Sequence, residues 1–220
     1  MTPERREKLD RVLDRRQGDL TVLAENLHKP RNFSALIRTC DAVGIHEVNV
    51  VAGEDHPRRH WHTSSGTEKW MEVRAHESIL AAANWLRARG FRLIAAHLSD
   101  QAGDFRDVDY TRPTALLLGT ELFGVSNEAL RHADQQISIP MEGMAGSLNV
   151  AVACGVVLYE AQRQRSEAGM YEHSSLDPAT RTRLRFEWLH PQLAEFCRRK
   201  GLDYPTLDEA GELTGPMPRG

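Results

Sequence analysis

Three apolar stretches of this chain end in loops whose composition suits a ligand. Phe91–Ala96 runs into His97-Leu98-Ser99, Thr114–Leu118 into Gly119-Thr120-Glu121-Leu122-Phe123-Gly124, and Gln136–Ile139 into Pro140–Ser147. Each loop offers main-chain N–H and C=O groups beside apolar side chains. That mixture fits a flat, partly apolar molecule such as adenosine. In open α/β sheets, ligands bind past the carboxyl ends of the strands, where these loops fall. Polar side chains nearby are few. Asn149 is the lone polar residue at the head of a long apolar stretch, and a buried amide needs partners. Ser147 stands where it would cap that helix, and a helix N-terminus also receives phosphate. Taken alone, Arg38, Asn32 and Glu121 have ordinary readings: a solvated arginine on an amphipathic helix, a helix cap and a carboxylate in a turn.

Several chemistries lack their signatures. No G-x-G-x-x-G follows the first strand, and there is no G-x-x-x-x-G-K-[ST] and no G-x-S-x-G, so a dinucleotide enzyme, a P-loop NTPase and a serine hydrolase have no support. His56, His60 and His62 surround Trp61, but no cysteine or carboxylate supports a metal there. With Arg58 and Arg59 beside them, they read better as a solvated basic loop, and no metal is expected.

These residues need a scaffold, and the periodicity supplies one. Residues 3–16 read as a charged helix and Leu20–Leu27 as a strand. Asn32 then caps a helix to about Val43, with Phe33, Leu36, Ile37 and Cys40 on one face and Gly44 at its end. His46–Val51 is a strand, residues 52–68 a loop, and Ser78–Arg89 a helix closed by Gly90. Phe91–Ala96, Thr114–Leu118 and Gln136–Ile139 are strands, Ser126 caps a helix to about Ala133, and residues 99–112 show no clear period. Leu148–Arg165 is a long helix, apolar all round at its start, so it must be covered on most faces. A sheet covers one side, and a second subunit is a natural cover for the rest. Alternating strands and helices predict an α/β fold with a mainly parallel sheet and helices on both faces. Three parts are expected: a basic helix at 1–18, a core at 19–168 and a helical extension with a tail at 169–220.

The 220 residues are 40% hydrophobic and 27% charged, enough for one medium core. Nothing in the chain is apolar for the roughly eighteen residues that a membrane span requires, and the charged start Met-Thr-Pro-Glu-Arg-Arg is no signal peptide. A cytoplasmic protein is the expectation. The cysteines Cys40, Cys154 and Cys197 lie far apart and suggest buried thiols. Net charge is −3, so any nucleic-acid contact must come from local basic patches.

Three segments resemble the signature motifs of the SpoU/TrmH family, in the family's order and spacing. They are Asn32-Phe33-Ser34-Ala35-Leu36-Ile37-Arg38-Thr39-Cys40-Asp41-Ala42-Val43-Gly44, Leu116–Ser126, and Ile139-Pro140-Met141 through Ser147-Leu148-Asn149-Val150-Ala151-Val152-Ala153. His28-Lys29-Pro30, Asp104-Phe105-Arg106, Asp109–Pro113 and Tyr159–Arg165 are similar to the branch that acts at guanosine 18 of tRNA. The resemblance implies a SPOUT-type domain with a deep trefoil knot in its C-terminal part, working as a homodimer. It implies 2′-O-methylation of the guanosine-18 ribose from S-adenosylmethionine (AdoMet). The alternatives are the same chemistry on rRNA or at another tRNA position, or a non-catalytic RNA-binding protein of this fold.

By the same resemblance, Ala96, Leu98, Gly119, Ile139, Met144 and Leu148 hold AdoMet, largely through main-chain atoms. Arg38 is the central catalytic residue, with Asn32, Glu121, Ser147 and Asn149 around it and both subunits completing one site. A guanidinium stays charged at any working pH, so two roles remain open for Arg38: proton acceptor in a dry site, or clamp on a substrate phosphate. Arg5, Lys8, Arg11, Arg16, Arg163 and Arg165 are expected to contact tRNA.

Overall fold

The computed structural model describes residues 2–27, 29–51, 67–120 and 123–215. They form two compact units, one spanning 17–171 and the other built from both ends of the chain, 1–16 with 172–220.

The larger unit is a seven-stranded sheet in which every pairing is parallel. Its strands are β1 (Leu20–Glu25), β2 (Glu47–Val51), β3 (Glu72–His76), β4 (Arg92–Ala96), β5 (Gly103–Asp104), β6 (Thr114–Leu118) and β7 (Gln135–Ser138), in the order β3-β2-β1-β6-β4-β7-β5. β1, β2 and β6 are buried along their whole length, as strands covered on both faces must be. Alternate side chains feed two cores. Leu20, Val22, Ala24, Leu116 and Leu118 meet Phe33, Leu36, Ile37 and Cys40 of α2 (Pro30–Ala42) and Cys154, Val157, Leu158 and Ala161 of α5 (Val150–Glu167). On the opposite face Leu23, Ala115 and Leu117 meet α3 (Ile79–Ala88) and Ala129 of α4 (Asn127–Arg131).

Two caps differ from the sequence expectation. Pro30 opens α2, with Lys29 as its N-cap, because proline's fixed φ is already helical and its missing N–H costs nothing in the first turn. Asn32 therefore lies inside the helix and its amide is released for other work. α5 is capped by Asn149, whose Oδ1 accepts from the Ala151 N–H at 2.9 Å, and not by Ser147.

The C-terminal end of α5 is anchored by Arg165, which is fully buried. Its Nε donates to the Tyr110 carbonyl at 2.9 Å, and Nη1 donates to Gln17 Oε1 at 2.9 Å and Asp19 Oδ1 at 2.6 Å. Nη2 donates to the carbonyls of Asp19 at 3.2 Å and Arg112 at 3.3 Å. A side chain so enclosed offers nothing to RNA, so the expected tRNA contact at Arg165 is corrected to an anchor.

The smaller unit holds α1 (Pro3–Leu13), α6 (Pro178–Leu189) and α7 (Pro191–Lys200). Leu9, Leu13, Leu184, Phe186 and Trp188 are buried in it. Arg185 pairs with Asp10 at 2.8 Å, and Tyr204 stacks on Phe186 with ring centroids 4.6 Å apart. Arg16 is also fully buried, its guanidinium carbon 5.3 Å from the centre of the Trp188 ring. The expected tRNA contact at Arg16 is corrected for the same reason. Arg5, Lys8 and Arg11 are exposed along α1.

Candidate active site

The carboxyl ends of β4, β6 and β7 open into a cavity of about 340 Å³, at the small end of the range for ligand sites. β4 contributes Ala96, His97 and Leu98, β6 contributes Leu118, Gly119 and Thr120, and β7 contributes Ile137, Ser138 and Ile139. Met141, Gly146, Ser147, Leu148, Val150 and Ala153 close it from the loop before α5 and from its first turn. Among the described residues the lining holds no carboxylate, lysine or arginine. A neutral, mostly apolar wall with hydroxyls and main-chain groups is chemically suited to a flat, partly apolar ligand.

The wall after β6 is a tight turn. Thr120 N–H donates to the Gly124 carbonyl at 2.9 Å, and Gly124 N–H donates back to the Thr120 carbonyl at 3.0 Å. Phe123 N–H is taken by Thr120 Oγ1 at 3.0 Å. Gly124 sits at φ 67°, in the left-handed region that glycine adopts without strain. Gly119 has no room for a side chain, because a Cβ there would lie 1.9 Å from the Gly124 carbonyl oxygen.

Of the expected cofactor residues, Ala96, Leu98, Gly119, Ile139 and Leu148 line the cavity. Met144 does not, since its side chain is fully exposed at the outer bend of the loop. His97, Thr120, Phe123, Ser138 and Val150 also line the cavity; the first four lie in segments the sequence marks as suited to a ligand, but none was singled out as a cofactor residue. Their neighbours in the same loops were the available signal.

Of the expected catalytic residues, Ser147 is exposed and faces the cavity. Asn149 is exposed rather than buried. While its Oδ1 caps α5, its Nδ2 donates to Asn32 Oδ1 at 3.2 Å. This bond joins α2 to the cavity rim, because Leu148 and Val150 on either side of Asn149 both line the cavity. Arg38 lies on α2 in an exposed stripe with Arg31, Ala35 and Ala42, and is not part of the lining. Six residues along an α-helix is about 9 Å of rise, so Arg38 stands well down the axis from Asn32. Glu121 and the cluster of His56, Arg58, Arg59, His60, Trp61 and His62 lie outside the described residues. Arg163 is about half exposed on α5, between Glu160 at 2.8 Å and Glu167 at 2.7 Å. Exposed pairs of this kind are weak and exchangeable.

Comparison with known proteins fits this arrangement. The model of the SpoU rRNA methylase family matches residues 19–159, and that of a SpoU rRNA methylase C-terminal region matches 163–216. A protein of Escherichia coli (strain K12) named tRNA (guanosine(18)-2'-O)-methyltransferase is 49% identical over 97% of this chain and 94% of its own length. The crystal structure of a TrmH/SpoU tRNA modifying enzyme from A. aeolicus is 39% identical, covers 91% of this chain and 98% of its own, and superposes with a TM-score of 0.75. The SpoU methyltransferase AviRb from Streptomyces viridochromogenes, solved in complex with the cofactor AdoMet, is 34% identical over 72% of this chain and 65% of its own, with a TM-score of 0.61.

Proposed function

Because the chain belongs to the SpoU rRNA methylase family, we propose that it is an AdoMet-dependent methyltransferase acting on the ribose 2′-oxygen of guanosine 18 in tRNA. The observation that carries this reading is the nearly end-to-end likeness to a relative named for that reaction. The cavity adds chemical support. Its glycine-walled, uncharged lining at the carboxyl ends of three strands fits a nucleoside that carries a sulfonium.

When bound, AdoMet supplies a methyl group already activated by positive sulfur, so the transfer needs no metal. The protein's part is placement. Gly119, Thr120 and the loop before α5 hold the donor in the cavity. Ser147, exposed at the rim, and the Asn32–Asn149 pair flank the position where the ribose must enter. Arg38 clamps a substrate phosphate and turns the 2′-hydroxyl into line with the methyl group. As a guanidinium keeps its proton at working pH, the hydroxyl proton leaves to water.

Arg38 is not among the residues that line the cavity of its own chain, and a second copy would bring it to one. Val152 and Tyr159 on α5 are 51% and 55% exposed, and the small residues Ala35 and Ala42 flank Arg38 on the adjoining α2. α2 packs on α5, with Thr39 Cγ2 3.9 Å from where a Cβ on Gly155 would be. The two helices thus offer one continuous surface for a homodimer, and Arg38 then serves the partner's cavity. The trefoil knot belongs to the same reading through the family. The exposed Arg5, Lys8 and Arg11 form the tRNA-facing side of α1, and work on tRNA with AdoMet places the protein in the cytoplasm.

Incubation with methyl-labelled AdoMet and unmodified tRNA, followed by mapping of the labelled nucleotide, tests the assignment. Label on the ribose of guanosine 18 is expected. Label at another nucleotide, or on rRNA alone, overturns it. Gly119→Ala forces the turn open, and overpacking of this kind costs about 1–3 kcal/mol. If that cost falls on the bound state, AdoMet affinity drops about ten- to a hundredfold, which titration calorimetry reads directly.

A further inference from the structure

Glu25 is the last residue of β1, hydrogen-bonded in parallel to β6, whose end opens into the cavity. It does not line the cavity, and it is only 5% exposed. Both carboxylate oxygens are committed to one residue of the loop after β6. Oε2 accepts from the Ser126 main-chain N–H at 3.0 Å, and Oε1 accepts from the Ser126 hydroxyl at 2.6 Å. That hydroxyl in turn accepts from the Ala129 N–H at 3.1 Å and so caps α4.

The position of Ser126 gives this contact a consequence. Two residues earlier, Gly124 closes the turn on Thr120 and leaves no space above Gly119. The turn is held at its start by β6 and at its far end by Ser126. A charged acceptor taking two hydrogen bonds is among the stronger restraints a side chain supplies. Glu25 also precedes Asn26, which bends the chain at φ 51° while its N–H donates to the Val51 carbonyl at 2.9 Å. The bend leads directly toward α2, which carries Asn32 and Arg38. One carboxylate therefore stands between the two segments that must agree in position: the cavity wall and the approach to the catalytic helix.

We propose that Glu25 is a positioning residue which, through Ser126, holds the Gly119–Gly124 turn in the shape that binds AdoMet. The inference rests on the methyl-transfer reading above. A merely structural carboxylate would lower stability and weaken every ligand alike, whereas a positioning carboxylate weakens the donor selectively.

The test measures, on the full chain, AdoMet affinity by calorimetry, affinity for unmodified tRNA by filter binding, and the thermal midpoint. Glu25→Ala is expected to weaken AdoMet by about tenfold or more, the scale of a lost charged hydrogen bond, with tRNA affinity within about twofold. Glu25→Gln keeps the shape and one acceptor and is expected to recover most of the loss. Ser126→Ala keeps the main-chain N–H but not the hydroxyl, so it should fall between, and adding it to Glu25→Ala should cost little more. AdoMet affinity unchanged in Glu25→Ala, a glutamine no better than alanine, or AdoMet and tRNA affinities falling together with the midpoint each overturns the proposal. Should Glu25→Ala not fold, Ser126→Ala and Glu25→Gln decide by the same split. Wild-type methylation at guanosine 18, measured in parallel, reports separately on the functional reading.

Discussion

Arg38→Ala is expected to lower methyl transfer by about two to three orders of magnitude, the scale set by losing orientation of a reacting group. AdoMet affinity should stay within about twofold, because Arg38 is not among the residues that line the cavity. Single-turnover transfer and calorimetry read the two quantities separately. Arg38→Lys keeps the charge but not the fork that matches a phosphate, so it should recover only part of the rate. Equal loss of transfer and of AdoMet affinity would show that Arg38 shapes the cavity and does not serve the substrate. The proposal that Arg38 serves a partner's cavity carries a sharper expected result. Arg38→Ala and Ser147→Ala, each inactive alone, should regain about a quarter of wild-type activity after mixing and subunit exchange. Half of the randomly paired dimers are then mixed, with one of two symmetric sites intact. No recovery on mixing would place Arg38 and Ser147 in the same chain's site.

Arg165→Ala is expected to destabilise the larger unit by about 3–5 kcal/mol, the usual cost of removing one partner from a buried charged network. The change removes Arg165 from its ion pair with Asp19 and leaves the carbonyls of Tyr110 and Arg112 without this donor. Urea unfolding should show a lower midpoint, and Arg165→Lys should restore little, since one ammonium cannot satisfy positions that the planar fork meets together. The folded fraction should bind tRNA with an unchanged salt dependence. A shallower salt slope with unaltered stability would instead return Arg165 to the RNA surface.

Arg163 and Arg165 show what the sequence made legible and what it did not. Both stand in one basic run, and composition alone assigns them the same role. Two residues apart on a helix, they point in nearly opposite directions. Arg165 continues the stripe of Leu158 and Ala161, at spacings of seven and four, into the core. Arg163 falls on the wet side. β4 and β6, read from apolar runs, lie where the sequence puts them, because the middle of each is buried on both faces. β3 went unseen although Glu-Val-Arg-Ala-His alternates polar and apolar residues: it is a five-residue edge strand with only two apolar side chains, one of them alanine. Its Arg74 is held by buried Glu47 at 2.8 Å, a pairing that only the tertiary structure creates. The cap of α5 was misplaced because Ser147 and Asn149 are both good capping residues, and only the path of the loop decides between them. Of the site, the cavity walls were legible through the motifs. The Asn32–Asn149 bond was not, since it joins residues 117 positions apart.

The pairing of α1 with α6 bears on how the protein is made. Leu9 and Leu13 are synthesised long before Leu184, Phe186 and Trp188, which share their unit. Until α6 is made, α1 lacks these native partners, and the central β1 likewise waits for β6, a pairing of high sequence separation. A chain cut before α6 would therefore leave Leu9 and Leu13 without the apolar side chains that bury them.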